Sequence, residues 1–186
     1  MQILNPGRSI LVAALSLFVC CSALSFPAKY DRQFKASAAR YMPGVDWRLL
    51  KAQCWQESRF IEAAVSPVGA MGLCQFMPGT WADVTRQLNI EGSAFAPDLS
   101  IDAAAYYMGQ LRRQWSSPRP EFDRHSLAMA SYNAGLGNLL KAQQQCDMAT
   151  TYACIAGCLP DVTGRHSKET LDYVVKIWAY WMEMKL

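Results

Sequence analysis

The stretch Val65-Ser66-Pro67-Val68-Gly69-Ala70-Met71-Gly72-Leu73-Cys74-Gln75-Phe76-Met77-Pro78-Gly79 sets the first limit on this chain, because it interrupts a sequence otherwise patterned at helical spacing. Its Gly and Pro residues come too often for a regular helix: Pro lacks the amide hydrogen, and Gly has the most backbone freedom to lose. The segment therefore predicts a loop or small hairpin whose backbone can approach a ligand closely. Before it, Asp46 can cap a helix from Trp47 to about Arg59. After it, one helix starts near Thr80 and carries Trp81, Val84 and Leu88. Another begins at Ser100, with Ile101, Ala104, Ala105, Met108, Leu111 and Trp115 on one face. A fourth runs from about Phe122 to Asn133 and stops at Gly135. A last follows Ser167, with Leu171, Val174, Val175, Trp178, Trp181 and Met182 forming its apolar stripe. The pattern reads as mainly α, with one structured loop region.

A length of 186 residues supports one domain with a proper core. Nothing repeats internally and no long linker divides the chain. The net charge of +3 is small, and no Lys/Arg stripe appears, so nucleic acid is not an expected partner.

Residues 1–25 have the layout of an export signal. Arg8 precedes an apolar run from Ile10 to Phe18 that continues to Leu24 and ends among small residues. Cleavage after Ser25 or after Ala23 fits this layout and leaves 26–186 as the mature domain. The alternative is an uncleaved anchor over residues 10–26, although the run of about 15–17 residues is at or below the roughly 17–25 that span a bilayer. The expectation is an exported protein, periplasmic or secreted.

Two of the seven cysteines, Cys20 and Cys21, lie in that segment. Export leads to an oxidising compartment, so disulfides are allowed among the other five. Cys146, Cys154 and Cys158 cluster, and a bond from Cys146 to either Cys154 or Cys158 is expected there. A zinc site completed by His166 is the competing reading. It is opposed by the absence of a Cys-x-x-Cys pair and by the oxidising setting, and no metal is expected. An odd number of cysteines leaves at least one free.

The first helix places Trp47, Leu50, Cys54 and Glu57 within roughly 80° of one another on the wheel. A carboxyl thus ends an apolar stripe, where desolvation raises its pKa, and the partly negative helix C-terminus acts the same way. An acid still protonated near neutral pH is what protonating a glycosidic oxygen demands. The pattern alone equally allows Glu57 to pair with Arg59 or another cation.

Gln56-Glu57-Ser58-Arg59-Phe60, followed by Ala64 through Trp81, resembles the core signature of the soluble lytic transglycosylase domain, family 23 of the glycoside hydrolases. Ala130-Ser131-Tyr132-Asn133-Ala134-Gly135 resembles that family's third motif, and Glu169-Thr170-Leu171-Asp172-Tyr173-Val174 its fourth. The motifs stand in the family's order and cover about residue 42 to residue 180. The resemblance implies a lysozyme-like single domain, mainly α, with a small loop or hairpin region beside the active-site cleft. Residue by residue, it implies Glu57 as the catalytic acid/base and Ser58 as support beside it. Gln75, Tyr132, Asn133 and Tyr173 would be the other substrate-binding positions. Two departures matter: Cys74 stands where the family usually has Met, so the loop either packs differently or forms a disulfide. In addition, the cysteine-bearing segment from Gln143 to His166 matches no motif.

The implied reaction is cleavage of the MurNAc-(β1,4)-GlcNAc bond of peptidoglycan with formation of 1,6-anhydro-MurNAc. No cofactor is required, and one carboxyl group acts twice. No second acid is expected, since Glu62 and Asp83 are near in sequence but match no catalytic position. A lysozyme-type hydrolase and an inactive glycan-binding assembly factor are the alternatives. A zinc hydrolase lacks its His-Glu-x-x-His motif. The expected partner is the peptidoglycan glycan strand, met by a monomer. Secretion, conjugation or phage machinery and wall remodelling are all compatible settings.

Overall fold

The computed structural model describes residues 26–186. The expected signal or anchor, residues 1–25 with their cleavage points, lies outside the described residues. Eight α-helices run through the rest: α1 (Asp31–Tyr41), α2 (Trp47–Ser58), α3 (Pro78–Leu88), α4 (Pro97–Gln114), α5 (Glu121–Ala134), α6 (Leu136–Gln145), α7 (Tyr152–Thr163) and α8 (Ser167–Glu183). A single 3-10 turn, Gly164–His166, leads into α8. Among the described residues no helix is long and apolar enough to cross a membrane.

Helix α5 is the centre. Residues 125–131 are all buried, so this helix is covered on every side, by α4, α6, α7 and α8. Helix α2 packs between α1 and α8, burying Leu49, Leu50, Ala52 and Cys54. The stripe expected on α4, from Ile101 to Trp115, is buried throughout. Trp115 joins α4 to α5 by donating its Nε1–H to Ser131 Oγ at 3.0 Å. Gly109 of α4 permits a close crossing, since a Cβ there would stand 2.4 Å from the Tyr41 carbonyl oxygen of α1.

Asp46 caps α2 as expected, accepting from the Arg48 amide at 3.0 Å. The same carboxylate accepts from Trp181 Nε1 at 3.0 Å, tying the start of α2 to α8. Burial opposes ionisation of Asp46, but these hydrogen bonds and the Arg48 charge hold it below its usual range. The stripe on α8 needs correction. Its buried line runs through Thr170, Tyr173, Val174 and Ile177, whereas Val175 and Met182 are 67% and 63% exposed.

Three helices were not expected: α1, α6 and α7. The last two form a packed helical hairpin, and α7 fills most of the Gln143 to His166 segment that matched no motif. Thr151 caps α7, and the Tyr152 amide donates to Asp123 Oδ1 at the start of α5. Cys146 pairs with Cys158 across the hairpin, and Cys154 is free and exposed. The bond selects one of the two pairings left open and removes two of the thiols a zinc site would need.

The loop after α2 is a small hairpin-like unit rather than a sheet, with isolated antiparallel bridges Val65 to Met71 and Met71 to Phe76. Gly72 is required at its base: φ is 74°, and a Cβ would fall 1.9 Å from the Ala94 carbonyl oxygen.

The Cys146–Cys158 bond closes the α6–α7 hairpin over a separation of 12 residues. Its loss by Cys158→Ser is expected to lower stability by roughly 2–3 kcal/mol in denaturant unfolding. A change below a few tenths would mean that helix packing alone holds the hairpin.

Candidate active site

Glu57 lies in the last turn of α2, just before the helix ends. The end is sharp because Arg59 and Phe60 both take left-handed backbone, with φ of 56° and 62°. Arg59 turns away and donates to the Tyr180 hydroxyl at 2.6 Å, so it is not the partner of Glu57. The Glu57 side chain instead reaches the floor of a cavity of about 440 Å³ enclosed by α2, the 65–77 loop, α5 and α8.

The residue as a whole is partly exposed at that floor, while the carboxyl end is enclosed by its neighbours. Burial is the main reason its pKa is pushed up to about 8. The negative charge of Glu169 pushes the same way. The Tyr173 hydroxyl, donating to Glu57 Oε1 at 2.5 Å, pulls back toward the ionised form.

Tyr173 comes from the buried line of α8, and Tyr132 from the last turns of α5. Burial holds both phenols well above their usual range, so each is a neutral donor. Tyr132 donates to the Cys74 carbonyl oxygen at 2.8 Å, bracing the loop, and its ring packs against Phe76 and Tyr107. Asn133 lines the cavity, and its Oδ1 accepts from Thr170 Oγ1 at 2.7 Å. With its oxygen engaged, the Asn133 amide presents Nδ2 as the group left to donate. Gln75 also lines the cavity, but its Nε2 donates within the loop, to Gly72 O at 2.8 Å and Ala64 O at 3.3 Å.

Five of the six expected positions therefore meet around one cavity. Ser58 does not. It is buried behind the wall, where its hydroxyl donates to the Leu73 carbonyl oxygen at 2.8 Å. It braces the loop and does not face the cleft.

Two further carboxyl side chains, Glu169 and Asp172, line the cavity, together with Gln56 and Lys176. Glu169, Asp172, Tyr173 and Lys176 follow helical spacing, so the α8 pattern held the signal for a polar face. Glu62 bonds to Lys29, and Asp83 to Arg86, away from the cleft.

A second cavity of about 470 Å³ is lined by Leu49, Phe122, Trp178 and Trp181. Its acids cannot serve as proton donors near neutral pH, since Glu121 is held low by Arg112 and Asp46 is held low as described. Among the described residues no group of three or more His, Cys, Asp or Glu side chains is arranged to hold a metal.

Because Tyr173 favours the ionised form of Glu57 and Glu169 disfavours it, their removal should act in opposite directions. Tyr173→Phe is expected to move the Glu57 titration above about 8, and Glu169→Gln to move it below. Carbon-13 NMR of the labelled carboxyl reads both, and shifts of the same sign would refute this account of the site.

Residues 34–155 match the family model described as the Transglycosylase SLT domain. The chain is 34% identical over 115 residues to the membrane-bound lytic murein transglycosylase F of Hahella chejuensis, covering 62% of this chain and 21% of that protein. It is 36% identical over 105 residues to the Histophilus somni protein of the same description, covering 56% and 21%. Its fold is similar to that of an inactive mutant of lytic transglycosylase Slt from Pseudomonas aeruginosa, with TM-score 0.67 and 28% identity over 84% of this chain and 24% of that one. The 70-kDa soluble lytic transglycosylase of Escherichia coli gives a TM-score of 0.66 and 26% identity, covering 85% and 24%. The chain thus spans about a fifth to a quarter of the length of these relatives.

Proposed function

The chain belongs to the transglycosylase SLT domain family, and we propose that it is a peptidoglycan lytic transglycosylase in which Glu57 is the acid and then the base. One observation carries the reading: a carboxyl raised to about 8 stands at the floor of a polar cleft large enough for sugar rings. Near neutral pH Glu57 holds a proton and delivers it to the oxygen linking MurNAc to GlcNAc. Positive charge then develops at the anomeric carbon, where the substrate's own acetamido group stabilises it. The ionised Glu57, receiving the Tyr173 hydrogen bond, removes the proton of the muramoyl C6 hydroxyl. That oxygen closes the 1,6-anhydro ring, and Glu57 regains its proton. Asn133 Nδ2 is positioned to hold an acetamido oxygen, and Gln75 and Tyr132 shape the wall opposite the acid.

A hydrolytic reading retains one supporting observation, namely Glu169 in the same cavity as a second carboxylate. The products decide between them, since the anhydro sugar is lighter by one water than the hydrolysis product. Glu57→Gln keeps the shape but has no proton to give, so cleavage of purified wall should fall by roughly 10²–10⁴-fold with the fold unchanged. Retention of more than about a tenth of the activity would remove Glu57 from its role. In the active protein kcat/KM should fall on the alkaline side with a midpoint near about 8, as free Glu57 loses its proton.

This substrate lies outside the inner membrane, and residues 1–25 have the layout that would carry the chain there. N-terminal sequencing of exported protein should find a start at Leu24 or Phe26. An intact Met1 in a membrane fraction would indicate the anchored form.

A further inference from the structure

Cys54 and Cys74 form a disulfide that the reaction above does not use. Both side chains are enclosed, at 1% and 0% exposure, and neither lines the cleft. The bond nevertheless crosses the boundary on which the site depends. Cys54 stands three residues before Glu57 on α2, one turn away and on the same face. Cys74 immediately precedes Gln75, which lines the facing wall.

The wall is a stiff unit in its own right. Gln75 sits at φ 53°, in left-handed backbone that a residue with a Cβ holds only where its surroundings fix it. Its Nε2 and amide donate to carbonyls of the same loop, and Met71 and Phe76 pair backbone to backbone. Around Cys74, Tyr132 holds the carbonyl oxygen from α5, and the Ser100 hydroxyl accepts from the amide at 3.3 Å. Those contacts reach the loop from α5 and α4. Toward α2, the link at this level is the disulfide, with the Ser58 hydrogen bond to Leu73 beside it.

We propose that Cys54 and Cys74 are positioning residues: their bond sets the separation between the Glu57 turn of α2 and the Gln75 wall, and the cleft has its working shape only when the sulfurs are joined. The inference rests on Glu57 being the working acid, so its test is read first on the protein's own atoms. A crosslink that served only overall stability would raise the melting temperature and leave the surroundings of Glu57 unchanged once the chain had folded.

The test compares the full chain with two double variants, Cys54→Ala/Cys74→Ala and Cys54→Ala/Cys74→Met. Hydrogen exchange of the 70–77 amides and carbon-13 titration of Glu57 are measured below the melting range of each. With both sulfurs removed, exchange in 70–77 should rise by about tenfold or more relative to α5. The Glu57 midpoint should fall from about 8, because water admitted past a displaced wall relieves the burial that raises it. The Met variant, whose long flexible side chain refills the space without joining α2 to the loop, should keep both changes. A return of both readings to those of the unaltered chain would mean that filled volume and not the bond sets the wall. Unaltered exchange and an unaltered midpoint in the Ala variant, with only the melting temperature lowered, would overturn the proposal.

Should the Ala variant not fold, the same readings on unaltered chain refolded under a phosphine reductant decide by the same criteria. Cys146→Ser/Cys158→Ser serves as the control for the other bond. If the oxidised, unaltered protein cleaves no wall, the proposed function fails, and the exchange and titration results still decide this inference. If it does cleave, kcat should fall in both variants.

Discussion

The structure is organised around the cost of hiding one carboxyl from water. Burial is the largest influence on Glu57, and no single element could supply it. Helix α2 brings the group, α8 covers it with Tyr173, α5 contributes Tyr132 and Asn133, and the loop closes the remaining side. An α-helix alone would leave a residue in its last turn solvated. The α2–α8 and α5–α8 packing therefore does more than build a core, because it creates the local medium in which a glutamic acid stays protonated near neutral pH.

The loop wall obeys the same constraint from the other side. The loop sends Leu73, Cys74 and Phe76 into the core, and directed bonds then fix its backbone. Tyr132, Ser58 and Ser100 each hold the backbone at or next to Cys74, and Gly72 lets the chain pass against the Ala94 carbonyl oxygen. Hydroxyls that resemble substrate ligands in a sequence are here structural donors and acceptors. Their work is to make the position of Gln75 reproducible, and the proposed orienting of a glycosidic bond would tolerate little movement there.

How far the sequence revealed this depends on whether each signal was local. Helix α2 was legible because Asp46, the stripe through Leu50 and Cys54, and Glu57 lie within one short helix. Helix α7 was hidden by Pro160 and Gly157 inside it, both of which read as breakers; packing against α5 and α6 overrides that preference. Ser58 supports the site from behind the wall and does not line the cleft, because adjacency in sequence is about 100° of rotation on a helix, enough to turn it to Leu73. Cys54 was taken for an apolar residue of the stripe, and a buried half-cystine gives the same pattern as a buried valine. Its partner lies 20 residues on, in a loop whose path no periodicity describes. Glu169 was passed over because an exposed acid on a helix ordinarily marks a solvated face, and only the packing of α8 against α2 brings it to the cleft.

That last residue bears on the proposal that a single group serves in both steps. An acid that only had to protonate an oxygen would gain from the highest pKa the site could produce. An acid that must then act as a base cannot be driven so high, because its ionised form has to persist long enough to accept a proton. The two charged or polar neighbours of Glu57 divide this requirement. Glu169 adds to burial in favouring the protonated acid, while Tyr173 offers its hydrogen bond most strongly to the carboxylate. Burial without Tyr173 would favour the first step at the expense of the second, and a fully solvated carboxyl would do the reverse. The value near 8 is the balance of burial and these two residues of α8.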